Sequence, residues 1–297
     1  MFAAVGYTAS NTCLRAVTHC DPAWVSAVKA FPTLALFGPW LFVLKLRGER
    51  ILPSRRVLVS LAGAALLAHV GGNVLFQWSL GVIGLALAVP ITLGAMILGG
   101  AALGRIVLGE GITTNAILAN SLLLAAICIL SLGAGQTARP ISPHSVSDAS
   151  AWLGVLAAFA CGVAFATLGV AIRYSVSGEG RITTTMVYVS SVGLAALGLL
   201  TEWRIGWEGM LATSERDLTA MALAGLFNAI AFLSLTKALQ LTSVVMVNAL
   251  NASQTAMAMA AGVLLFEEPL TQPLAVGVFL TILGLLLMSR QGRPRVK

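Results

Sequence analysis

The chain has 297 residues, of which 58% are hydrophobic and 10% are charged, and it carries a formal charge of +7. An ordinary soluble domain has roughly 25% charged residues, so this chain lacks the polar surface needed to wrap a water-soluble globule, and its main solvent must be lipid. The positive charge does not point to nucleic acid, because the cations fall in short loops between apolar runs, where membrane orientation accounts for them.

A membrane-spanning helix needs about 20 mostly apolar residues. Such runs are predicted at 2–19, 23–45, 57–77, 82–104, 112–132, 151–172, 183–202, 218–236, 243–266 and 272–289. They do not alternate in segments of about ten residues, as a membrane barrel would. The first run is interrupted by Asn11 and Arg15, has no basic leader and continues into further spans, so it reads as a first helix rather than a cleaved signal peptide.

In chain order, span 1 carries Tyr7, Asn11 and Arg15, and span 2 carries Lys29. A cation at the bilayer centre costs about 2.5 to 3.5 kcal/mol on insertion scales, so Arg15 is expected to snorkel to the outer interface, and Lys29 to do the same or to face a cavity. Span 3 places His69, Asn73 and Gln77 at every fourth residue, one stripe on one helical face, with Trp78 at its outer end. Span 4 holds Pro90 and the pair Gly100 and Gly104, small residues spaced for close helix packing within a monomer, which is expected over a dimer. The segment Gly133 to Ser150, rich in Gly, Ser and Pro, divides the spans five and five. Span 7 contributes Tyr188 and span 8 Asn228, while in span 9 Asn248, Asn251 and Thr255 share a face with Gln254 beside it. Phe31 and Phe76 lie near these faces, and Trp152, Trp203 and Trp207 fall at span ends as interfacial anchors.

Counting Lys and Arg sets the orientation. With the N-terminus inside, 13 of the 18 fall on the cytoplasmic side, three (Arg139, Arg204, Arg216) fall outside, and Arg15 and Lys29 lie within spans. A multi-pass protein of a bacterial-type cytoplasmic membrane with both termini inside is therefore expected.

The halves also resemble each other. Leu108-Gly-Glu-Gly-Ile-Thr113 aligns with Phe266-Glu-Glu-Pro-Leu-Thr271 at an offset of 268 − 110 = 158. A unit with five spans, an odd number, enters the membrane in opposite senses in its two copies. The expected fold class is therefore an all-α membrane protein of ten transmembrane helices in two inverted five-helix repeats. The first repeat would occupy 1–135, a connector 136–150, the second repeat 151–290 and a basic cytoplasmic tail 291–297. Secondary transporters commonly have this architecture, with the substrate site at the repeat interface near the midplane.

With these features the chain resembles the drug/metabolite transporter superfamily, in its ten-helix branch built from two EamA-type repeats. The matching residues are Gly6-Tyr7-Thr8-Ala9-Ser10-Asn11 followed by Arg15, then Asp21-Pro22 and Lys29, and later Ala238-Leu239-Gln240-Leu241-Thr242-Ser243 leading to Phe266-Glu267-Glu268-Pro269-Leu270. The first half departs from the pattern, with Gly109 and Gly111 where the second half has Glu267 and Pro269, and Pro90 where it has Asn248. The resemblance implies export of small metabolites, amino acids or drugs.

Every Asp and Glu can be placed in a loop or at a span edge, so no carboxylate is expected at the midplane. That disfavours a proton-coupled exporter of cationic drugs, which would hold its cargo on an intramembrane acid, and His69 is the one group whose ordinary titration range suits proton coupling. The leading expectation is alternating-access export of small amphipathic metabolites, above all amino acids with apolar or aromatic side chains. Alternatives are a nucleotide-sugar or phosphorylated-metabolite exchanger and a multidrug exporter. The candidate substrate-binding residues are Tyr7, Asn11, Lys29, His69, Asn73, Trp78, Tyr188, Asn228, Asn248 and Asn251. The three histidines are dispersed and the four cysteines form no C-x-x-C pair, so no enzyme, metal site or cofactor is expected; the partners are a small solute and the bilayer.

Overall fold

The computed structural model describes residues 2–49, 51–109, 118, 121–122, 125–126, 128–130, 148–178, 180–251 and 253–289. The expected fifth span at 112–132, the connector 136–150 and the tail 291–297 lie largely or wholly outside these residues. The described elements are α1 (Phe2–Ala16), α2 (Pro22–Leu46), α3 (Arg55–Ile83), α4 (Leu85–Leu108), α5 (Asp148–Val176), α6 (Ile182–Leu211), α7 (Glu215–Leu241), α8 (Val244–Asn251), α9 (Gln254–Phe266) and α10 (Gln272–Ser289). There is no strand among the described residues.

Helices α2 to α7 are each long and apolar enough to cross a membrane. Even the shortest of the six, α4 with 24 residues, extends roughly 36 Å at 1.5 Å per residue, more than a bilayer core of about 30 Å. Large apolar side chains stand on the outside of the bundle, among them Phe42, Leu199, Leu264 and Phe279, as do Trp203 and Trp207 near the end of α6. A surface of that kind is suited to lipid. The chain is an all-α, multi-pass membrane protein.

The helix ends follow local chemistry. Asp21 accepts hydrogen bonds from the backbone N–H groups of Ala23 and Trp24, and Pro22 occupies the first position of α2, where a missing N–H costs nothing. Ser214 accepts from the N–H of Asp217 at the start of α7. These two starts are tied together: Trp24 Nε1 donates to Thr213 Oγ1 at 2.9 Å, Arg204 Nε donates to Asp21 Oδ2 at 2.8 Å, and His19 bonds Asp217 at 3.1 Å.

The offset of 158 recurs in the backbone. Helix α3 ends at Ile83 and α7 at Leu241; α4 ends at Leu108 and α9 at Phe266. The next residues, Gly109 (φ 67°) and Glu267 (φ 52°), both close their helix in the left-handed region, and their N–H groups bond Gly104 and Gly262. Every one of these pairs differs by 158 positions (267 − 109 = 158). Glycine adopts that conformation freely, whereas a side chain is strained there, and Glu267 is the one non-glycine residue with positive φ among the described residues.

Packing is reciprocal as well. Helix α1 packs on α7 and its counterpart α5 packs on α3, while α2 meets α6, and α4 meets α8 and α9. The two units therefore interlock across a common seam, instead of forming separate domains, and α4 lies deep in that seam with nearly all of Leu85 to Ala95 buried.

Arg15 departs from expectation. It does not reach for the membrane surface: it is 8% exposed, its Nε donates to Glu268 Oε1 at 2.9 Å, and its Nη1 donates to the carbonyl of Leu80. Glu268 lies in the loop after α9, at a span edge as expected, yet it is also buried, because it accepts from the N–H groups of Leu85 and Ala86 at the start of α4. Snorkelling loses to this arrangement since the acid and two open helix ends satisfy the guanidinium more fully than an interface could. Arg173, 158 positions after Arg15, likewise donates to the last carbonyls of α7, those of Leu239 and Gln240.

Candidate functional site

A cavity of about 160 Å³ opens on the seam between the two units. From the first unit, α1 contributes Tyr7 and Asn11, α2 Lys29, α3 His69, Asn73 and Phe76, and α4 Thr92 and Met96. From the second, α5 contributes Phe165, α6 Ser190, α7 Asn228 and Phe232, α8 Asn248 and Asn251, and α9 Gln254. No Asp or Glu is among the described residues lining it.

Two local irregularities aim polar groups inward. Leu67–Asn73 is π-helical within α3, a geometry that widens the turn and recurs at functional sites. It carries His69 and, at its last position, Asn73. The second is the turn at Ser253 just before α9, with Asn251 at the end of α8 and Gln254 at the start of α9. Broken helices are tolerated at membrane depth where they are buried in protein or line a cavity, and both residues line this one.

One end of the cavity is a hydrogen-bonded chain. Lys29 Nζ donates to Asn73 Oδ1 at 2.6 Å, and Asn73 Nδ2 lies 2.9 Å from His69 Nδ1. Lys29 is 8% exposed and Asn73 6%, and Lys29 has no acidic partner among the described residues. The imidazole rests on Gly193 of α6: a Cβ there would stand 2.5 Å from His69 Cγ and Nε2. A residue without a side chain is therefore needed at that contact.

Apolar and aromatic groups line the cavity beside this chain. Phe76 and Phe165 meet in a tilted pair with ring centroids 6.5 Å apart, an arrangement in which ring edge and face attract. Phe232, Val89, Leu93 and Met96 extend the same surface. Within the lining, Asn11, Asn228, Asn251 and Gln254 have no side-chain hydrogen-bond partner among the described residues, so these amides are free to meet a polar group in the cavity.

The structure brings together eight of the ten candidate residues, Tyr7, Asn11, Lys29, His69, Asn73, Asn228, Asn248 and Asn251. Trp78 and Tyr188 lie outside this lining. Trp78 is 38% exposed on the outside of the bundle; it follows Asn73 by five residues, about 140° away around a helix. Tyr188 packs in the apolar cluster with Val57, Leu61 and Val189, turned aside from Ser190 by two helical steps. Gln77, the third member of the span 3 stripe, donates to the carbonyl of Leu14 and ties α3 to α1. Phe31 is 59% exposed on the outer surface of α2.

Several lining residues escaped the sequence reading. Phe232 was within reach, since Asn228, Phe232, Leu235 and Leu239 recur at helical spacing on one face of α7. Phe165 and Ser190 carried no such signal: α5 has no intramembrane amide or charge to mark its cavity face, and a serine or phenylalanine in a span is ordinary.

Residues 152–290, a little under half of the chain, match the model of the EamA-like transporter family. A solved crystal structure, described only as that of a protein, superposes with a TM-score of 0.66 at 16% sequence identity, covering 97% of this chain and 94% of its own. That likeness shows a shared fold over nearly the whole length. A search of curated proteins finds no match. The EamA-like family comprises membrane transporters.

Proposed function

We propose, from the premise of an EamA-like transporter, that this chain exports small amphipathic metabolites by alternating access, with amino acids bearing apolar or aromatic side chains as its leading substrates. The observation that carries this reading is the mixed lining of the cavity on the seam between the units. It combines Lys29 and unpaired amides with Phe76, Phe165 and Phe232, and no acid is found among its described lining residues. A solute with a carboxylate, an amine and an apolar side chain fits that combination: cation and amides for the polar end, rings for the rest. Rocking of the two units about the seam would expose the cavity to each side in turn.

The excess of Lys and Arg on one side supports a cytoplasmic membrane with both termini inside. Gly100 faces Val244 and Asn248, and Gly277 faces Leu130, all within one chain, which supports close packing inside a monomer.

The test is solute flux into liposomes holding the purified protein, with a panel of amino acids, nucleotide sugars and cationic dyes. Saturable flux of phenylalanine, leucine or their kin is expected; uptake of dyes alone would sink the amino-acid reading.

A further inference from the structure

We infer that Lys29, held in place through Asn73 and His69, takes the carboxylate of the transported solute, with His69 kept as the tautomer that carries its proton on Nε2. This rests on the reading of the cavity as a substrate site.

The polarity of the chain follows from its first member. An ammonium can only donate, so the atom of Asn73 that lies 2.6 Å from Lys29 Nζ must be the amide oxygen. The amide NH2 is thereby turned to His69 Nδ1 at 2.9 Å. An NH2 group only donates, so Nδ1 must offer its lone pair, and the ring proton sits on Nε2. An imidazolium would set N–H against N–H at the Asn73 contact. The arrangement therefore excludes a charged His69, although histidine ordinarily suits proton coupling.

Lys29 keeps two further N–H groups and has no acid beside it among the described residues. A buried cation left unmet is costly. An anionic acceptor with no proton of its own answers that need, and charge-assisted hydrogen bonds of this kind are the strong ones. His69 Nε2 is enclosed against Gly193 without a partner among the described residues, so the ring acts through Asn73 and not on the solute. One cation suits a single negative charge, which favours a carboxylate over a phosphate dianion. An amine or a carboxamide NH2 presented here would meet donors. Asn73 is a positioning residue: it need not touch the solute, but it fixes which way His69 points its proton.

Two measurements test this. The chain has three histidines, so nitrogen NMR of protein labelled in histidine resolves His69 as the signal lost in His69→Gln. An Nε2–H pattern is expected for the unaltered protein. Asn73→Asp, nearly isosteric, offers oxygen to both neighbours, so the ring should flip to Nδ1–H. A merely structural Asn73 would leave the tautomer unchanged, and that result, or Nδ1–H in the unaltered protein, overturns the inference.

The second measurement is thermal stabilisation of the purified protein by L-phenylalanine, 3-phenylpropionate, L-phenylalaninamide, phenethylamine and phenyl phosphate. The two carboxylates should stabilise it, with the amide and amine weaker by about tenfold or more in apparent affinity, and Asn73→Asp should erase the difference. Equal binding of phenylalanine and its amide overturns the subsite while leaving amino-acid transport standing. Binding of 3-phenylpropionate without phenylalanine supports the subsite and removes the amino-acid reading. Tighter binding of phenyl phosphate, or no response to any compound, overturns the subsite.

Discussion

Arg15 and Glu268 stand 253 residues apart in the chain, yet Nε of the one lies 2.9 Å from Oε1 of the other, and each side chain is 8% exposed. The pair joins the first unit to the second and closes two helix ends at once, since Arg15 holds the carbonyl of Leu80 and Glu268 the N–H groups of Leu85 and Ala86. Breaking a buried pair by removing one partner typically costs about 3 to 5 kcal/mol, because the other charge is left uncompensated. Arg15→Ala and Glu268→Ala are each expected to lower thermal stability in detergent by that order. The double variant should lose much less than the sum. Additive losses would show that the two side chains act separately.

Glu267 holds a left-handed conformation that its counterpart Gly109 adopts without a side chain. Glu267→Gly should therefore raise stability by about 1 kcal/mol, the scale of the steric penalty, and Gly109→Ala should lower it by a similar amount. Unfolding in a denaturant series, read by tryptophan fluorescence, checks both signs.

Gly193 leaves room for the imidazole of His69, and a Cβ would stand 2.5 Å from two ring atoms. Gly193→Ala should displace the ring, uncouple it from Asn73 and cut flux by about tenfold or more, while the protein stays folded, because overpacking of this size typically costs only about 1 to 3 kcal/mol. Folded, fully active protein would show that the ring's position does not matter for transport.

The cavity lining separates residues that the sequence reading grouped together. Lys29→Ala and Asn251→Ala should lower flux strongly, whereas Trp78→Ala and Tyr188→Ala, which lie outside the lining, should leave the substrate KM nearly unchanged. A raised KM in the last two would move the pathway to the outer end of α3 or to the α6 side of the apolar cluster.

Orientation is open to a direct check. In a variant without Cys13, Cys20, Cys128 and Cys161, a cysteine placed at Thr213 should react with an impermeant thiol reagent added to intact cells, and one placed at Glu49 should react only after lysis. The reverse pattern would invert the topology that the Lys and Arg distribution supports.

The elements that were legible in the sequence are those set by solvent and local period. A long apolar run in lipid has no alternative to closing its own backbone hydrogen bonds, so hydropathy finds the helices from α1 to α7 and the region of α8 to α10, with ends within about six residues except that α6 runs on to Leu211, past the expected end at 202. The offset of 158 was visible because a repeat copies its punctuation, and the structure carries it to the helix-closing residues Gly109 and Glu267. Most of the cavity's polar residues were legible for a related reason: an amide or a lysine in the middle of a span is expensive unless it faces something polar.

The rest depended on how the helices meet. Hydropathy sums along one helix and does not register a break, so the division of span 9 into α8 and α9, and the π-helical turn at Leu67–Asn73, emerged only in three dimensions. Local pattern alone predicts a snorkelling cation at Arg15, because its acid partner lies 253 positions away. Phe165 and Ser190 became part of the lining only when α5 and α6 were set against the first unit. By itself the sequence determined a helical membrane protein with a repeat and a polar interior, because burial cost acts residue by residue. Tertiary structure decided which polar groups pair and which stay free, because pairing depends on distance between elements that the chain order leaves far apart.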